Sequence, residues 1–89
     1  MIIAWDEPKR LANLAKHGRD FVDLTLELFE TSFVLAARSP RFKAIGMLGD
    51  EAAVVVILAP LGSEGISIIS MRAASEKERK LLHGAQTRP

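Results

Sequence analysis

Residues 52–59 read Ala-Ala-Val-Val-Val-Ile-Leu-Ala, eight apolar positions with no polar interruption. A strand with one face in water alternates apolar and polar side chains. An unbroken β-branched run instead predicts a strand covered on both faces. Carried on to Leu61, the run is about half of what a membrane-spanning helix needs. Such a strand must sit in the middle of a sheet with apolar cover above and below. A chain of 89 residues has room for one core of that kind, so residues 1–89 are expected to form a single domain.

Extended segments flank this strand. Residues 1–5, 33–37, 41–48 and 66–72 read as strands, with breaks at Ser39-Pro40, at Gly49-Asp50 and over residues 60–65. Asp6 is placed to cap a helix reaching His17, Pro8 fits its first turn, and Gly18 supplies a left-handed residue to end it. Leu11, Leu14 and Ala15 have the spacing of a buried stripe on that helix. Asp20, with Asp23 three residues on, offers a cap for a second helix over residues 21–29. Its apolar side chains from Phe21 to Phe29 give a wide buried face, and the short connection predicts an antiparallel helical hairpin. Ser75 and Glu78 make a capping box that opens a last short helix, and the chain from Gly84 onward is expected to fray. The order predicts an α+β fold: an N-terminal strand and helical hairpin packed on a mainly antiparallel, three- to four-stranded sheet, then a short C-terminal helix.

The chemistry open to this chain is narrow. Without cysteine it has neither a disulfide framework nor thiolate chemistry, which suits a cytoplasmic protein. Acidic residues directly after the apolar start argue against a signal peptide. His17 and His83 stand far apart and make no recognisable metal-ligand set, while Gly62 and Gly65 open no helix and so no phosphate loop. Neither a metal nor a cofactor is implied. Twelve basic against eleven acidic residues leave a net charge of +1, so any grip on a polyanion must come from local clustering.

Strand alternation suggests where such a cluster could form. Arg41 and Lys43 point to one face of their strand, and Ser70 and Arg72 share a face of theirs. If those faces coincide, three cations and a hydroxyl meet on a patch suited to a phosphate. The same charges also suit rim positions whose stems cover apolar surface. Histidine donates and accepts protons near neutral pH. His17, beside Lys16 at a helix end, either moves a proton or contacts phosphate, or else caps the helix and packs over Trp5; His83 reads as surface. A hydrophobic content of 48% in so small a chain also predicts surplus apolar surface that a partner covers.

Three blocks carry a family resemblance. The first is Trp5, Asp6 and Lys9 followed by Asn13, Lys16, His17 and Gly18. The second is Arg41-Phe42-Lys43-Ala44-Ile45-Gly46, and the third runs from Ile68-Ile69-Ser70-Met71-Arg72 through the capped helix start at Ser75. In this order they resemble the BrnT family, toxins of bacterial type II toxin–antitoxin pairs related to the RelE/ParE ribonuclease-like fold. Two segments depart from the family pattern. Ala73 stands where a second Arg usually follows Arg72, and Thr31-Ser32-Phe33 replaces acidic and Pro residues.

The resemblance implies a RelE-like toxin domain and a metal-independent endoribonuclease that cuts RNA through attack of a ribose 2′-hydroxyl on the adjacent phosphate. Such a reaction needs a proton acceptor, a proton donor and cations for the charge on the phosphorane. Arg72, Arg41 and His17 are the expected catalytic residues, with Lys43, Lys16 and Ser70 binding substrate. The implied partners are RNA and a cognate BrnA-like antitoxin, in a homodimer or a toxin–antitoxin heterotetramer; no membrane is involved. Two alternatives keep the fold and drop the chemistry: a toxin that binds a protein such as DNA gyrase, and a decayed toxin that only pairs with its antitoxin.

Overall fold

The computed structural model describes residues 1–50 and 52–86. The chain forms β1 (Ile2–Trp5), α1 (Glu7–His17), a 3-10 turn (Phe21–Asp23), α2 (Leu26–Thr31), β2 (Phe33–Ala36), β3 (Phe42–Leu48), β4 (Ala52–Leu61), β5 (Gly65–Ala73) and α3 (Glu76–Gln86). The strands build one sheet in the order β1-β5-β4-β3-β2, so the long apolar run is its central strand. Strands β2 to β5 are joined as antiparallel neighbours, while β1 pairs with β5 in parallel. The α+β class is as the sequence indicates, but the sheet has five strands instead of three or four. The difference is β1, whose partner lies some sixty residues on, beyond the reach of local pattern.

Both faces of β4 are closed. Val54 and Val56 pack with Phe21, Leu24 and Leu28 of the 3-10 turn and α2, together with Ala44, Ile68 and Met71. Val55 points the other way, against Ile45, Ala74 and Leu82, under α3. All three valines are fully buried. Gly46 on β3 belongs to this packing, since a Cβ there would stand 3.0 Å from the Leu28 side chain.

Several local expectations are corrected. The second helix is interrupted. Leu24 turns extended (φ −69°, ψ 138°), so Asp20 caps only the 3-10 turn and Thr25 caps α2 by accepting from the Leu28 N–H. The break brings Phe21, Leu24 and Leu28 into one core at the expense of Val22 and Leu26, which stay exposed. On α1, Leu11 and Ala15 are exposed and the buried residue is Asn13. Asp6 makes no side-chain cap; its carbonyl accepts the Arg10 N–H at 3.1 Å. Gly18 does close α1, at φ 67°, with its N–H on the Leu14 carbonyl. β4 runs through Pro60 to Leu61, because Pro60 pairs with Ile66 near the end of the hairpin. α3 continues past Gly84 to Gln86; the expected fraying of residues 87–89 lies outside the described residues.

A Val55→Asp variant is expected to lose several kcal/mol, on the order of the whole stability of so small a domain. A thermal melt followed by circular dichroism tests this, and a cooperative transition near that of the parent would refute it.

A basic cleft beside the bulge in β5

β5 carries one more residue than β4 across their pairing: Ile57 faces Ser70 and Leu58 faces Ile68, leaving Ile69 unpaired. A bulge bends its strand and re-aims the side chains next to it. Here Ile69 and Ser70 form the floor of a cleft of about 360 Å³. One wall is α1, which presents Lys9, Ala12, Asn13, Lys16 and His17; Arg41, just ahead of β3, closes the other side. The helical residues recur at intervals of three and four, so they form one stripe of α1 turned toward the sheet. Among the described residues no carboxylate lines the cleft, and Lys9, Lys16 and Arg41 make no ion pair. Local clustering thus produces a positive site in a chain whose net charge is only +1.

Four of the six site residues expected from sequence meet here: Lys16, His17, Arg41 and Ser70. The other two share the face but have a different neighbour. Lys43 lies opposite Ile57, which lies opposite Ser70; one row along, Ile45, Val55 and Arg72 are aligned. Both cations turn to Glu78 at the start of α3. Arg72 donates from Nη1 and Nη2 to the two carboxylate oxygens at 2.7 and 2.8 Å, and Lys43 Nζ reaches Oε2 at 2.6 Å. Glu78 also accepts the Ser75 N–H at 2.8 Å and donates its own N–H to Ser75 Oγ, so the expected capping box is in place. The Arg72 guanidinium is the main reason this carboxyl lies far below the usual range, with Lys43 and Ser75 adding to the effect against the cost of burial. Arg72 is raised in turn. A third Arg72 bond, to the Ala73 carbonyl at 3.2 Å, leaves only part of its five-donor fork free.

Sequence reasoning missed Lys9, Asn13 and Glu78. For the first two the signal was present as a polar stripe at helical spacing, set aside in favour of an apolar one. Glu78 was legible as a cap but not as a counterion, because its two cations come from strands distant in sequence. Asp20 is held below its ordinary value, first by the Val22 N–H, and its carboxylate accepts from Arg10 Nη1 at 3.0 and 3.1 Å. Ala73, opposite Val54, projects away from the face that carries Arg72, so the missing second Arg removes no charge from the cleft floor.

The surplus apolar surface lies elsewhere. A groove of about 380 Å³, lined by Phe29, Val34, Phe42, Leu58 and Ile66 among others, belongs to the face opposite the cations. A partner laid flat on one face of the sheet therefore does not cover both. Among the described residues no helix is long and apolar enough to cross a membrane, and no three His, Cys, Asp or Glu side chains gather as a metal site.

Fold and cleft together define a small α+β protein that presents unpaired cations beside a bulged strand. A family model described as "Ribonuclease toxin, BrnT, of type II toxin-antitoxin system" matches residues 5–78, and the chain belongs to this BrnT family. It is similar to the Brucella abortus ribonuclease toxin BrnT, known from a crystal structure. The two share 49% identity over 85% of this chain and 99% of that one, with a TM-score of 0.81. A search of curated proteins returns no match.

Because folding lowers the Glu78 pKa, its stabilisation is complete above the unfolded value of 4.5 and is lost as acid protonates it below that. Glu78→Gln is expected to cost about 1.5–3 kcal/mol at neutral pH. In melts across pH, the gap between the two proteins should stay constant down to about pH 4.5 and then narrow. A gap independent of pH would count against this role.

Proposed function

We propose that this chain acts as a single toxin domain and is a metal-independent endoribonuclease, with the basic cleft as its active site. The observation that carries the reading is the convergence of Lys9, Lys16, His17 and Arg41 on Ser70 with no carboxylate among them. Closely set cations hold a phosphate diester and oppose a divalent metal ion, which favours chemistry run by side chains alone. In this reading the ribose 2′-oxygen attacks phosphorus, the 2′-hydroxyl proton passes to His17, and the bond to the 5′-oxygen breaks as that oxygen takes the proton from the resulting His17 imidazolium. Arg41, Lys16 and Lys9 neutralise the phosphorane, and Ser70 orients a phosphate oxygen from the floor. Arg72, two residues along the same strand face, adds its remaining donors at the edge, with Lys43 beside it. The family's type II toxin–antitoxin setting supports a cytoplasmic activity silenced by a cognate BrnA-like antitoxin laid over this cleft.

The ion pairs of Arg72 and Lys43 with Glu78 favour one competing reading. With those cations already engaged, the protein would act by binding another protein instead of cutting RNA. Incubating the purified chain with bulk RNA, with and without EDTA, separates the two. Cleavage that survives EDTA supports the proposal, and intact RNA supports the competitor. If the cleft is the active site, Arg41→Ala and Lys16→Ala should each lower cleavage by about 10²–10³ while leaving the melting temperature within a few degrees. Parent-like cleavage by either folded variant would remove that residue from the site.

A further inference from the structure

Past Trp5 the chain leaves the sheet and enters α1, so β1 covers the outer edge of β5 only from Gly65 to Ile68. Beyond that point no strand of the described residues lies beside the edge, yet one residue there is fully paired. Asn13 Nδ2 donates to the Met71 carbonyl at 2.8 Å, and Asn13 Oδ1 accepts the Met71 N–H at 3.0 Å. One side-chain amide thus makes the pair of bonds that one residue of an antiparallel neighbouring strand would make. The same Nδ2 also donates to the Arg19 carbonyl at 3.2 Å, just past the turn at Gly18. Asn13 is only 6% exposed, and these three bonds use both of its donors and its oxygen.

This placement has a consequence for the cleft. Asn13 lies one helical turn after Lys9 and one before Lys16 and His17. Met71 directly follows Ser70 on the cleft floor. The amide therefore joins the α1 wall to the strand that forms the floor, and its third bond reaches the turn that follows His17. We infer that Asn13 is a positioning residue: its side-chain amide, acting as a one-residue strand on β5, sets the distance and rotation of the Lys9–Lys16–His17 wall relative to Ser70 and Arg41. It touches no substrate itself. The inference rests on the reading of the cleft as the active site. It adds that an amide fixes the register of α1 on this strand, where Leu11 and Ala15 are exposed and Asn13 is the buried residue of the helix. An apolar contact tolerates sliding, whereas two antiparallel hydrogen bonds admit one register.

Asn13→Asp keeps the size of the side chain and the acceptor for the Met71 N–H, but sets a carboxylate oxygen against two carbonyls. The folded variant, its foldedness checked by circular dichroism, is expected to cleave RNA at least about tenfold more slowly than the parent. The discriminating measurement repeats the substitution in a Lys16→Ala/His17→Ala background, where a residue acting through that wall has little left to position. There Asn13→Asp should change the residual rate by less than about twofold. Parent-like cleavage by the folded variant, or the same loss in both backgrounds, overturns the inference. Amide hydrogen exchange on the parent tests it without any variant. The Met71 N–H should exchange as slowly as interior ladder amides although it points to an edge that β1 does not reach, and fast exchange would also overturn the inference. A parent that cuts no RNA would defeat the proposed function instead, leaving the exchange result to stand alone.

Discussion

Everything in this fold follows from the need to cover β4 on two sides. Val54 and Val56 face one way and Val55 the other, and none of them touches water. A sheet whose middle strand is apolar on both faces needs two covering layers, and a chain this short has few elements to supply them. The 3-10 turn and α2 take one face and α3 takes the other. α1 is left without a sheet face to cover, which is why its stripe of Lys9, Asn13, Lys16 and His17 can be polar and can stand as the wall of a cleft.

Two kinds of positive charge result, separated by a single carboxylate. Glu78, nearly buried at the start of α3, binds Arg72 and Lys43 and satisfies the Ser75 N–H, so those cations serve to dock the last helix onto the sheet. Lys9, Lys16 and Arg41 have no such counterion among the described residues and remain available to an incoming anion. A near-neutral chain can in this way present a local cluster of positive charge, because Glu78 is engaged with other cations. Asp20 and Glu7 do the same for Arg10 of α1.

Much of this was legible from residue order. The unbroken run of residues 52–59 predicts a doubly covered strand, Gly18 marks the end of α1, and Ser75 with Glu78 marks the start of α3, because each signal depends on neighbours within a few positions. Sharing of a face by Ser70 and Arg72 also followed from strand alternation. Where reading failed, distance in sequence was the reason. The parallel pairing of β1 with β5, the bulge at Ile69 and the ion pairs of Glu78 all join segments separated by loops or helices. The break at Leu24 was missed for a related cause. Helical spacing there was plausible locally, and the core demanded a different path to bury Phe21, Leu24 and Leu28 together.

The sequence by itself determined the class of fold, the central strand, most of the element boundaries and the family resemblance that the match over residues 5–78 bears out. It also supplied Lys16, His17, Arg41 and Ser70 as candidates, since residue type and motif spacing are local properties. Tertiary structure alone decided which charges are free. Whether a cation holds a buried carboxylate or waits for a phosphate depends on what folding brings within about 3–4 Å, and Coulomb interactions at that range outweigh anything encoded in spacing along the chain. The same is true of Asn13, a polar residue in a motif until the edge of β5 arrives beside it and turns its amide into a piece of the sheet.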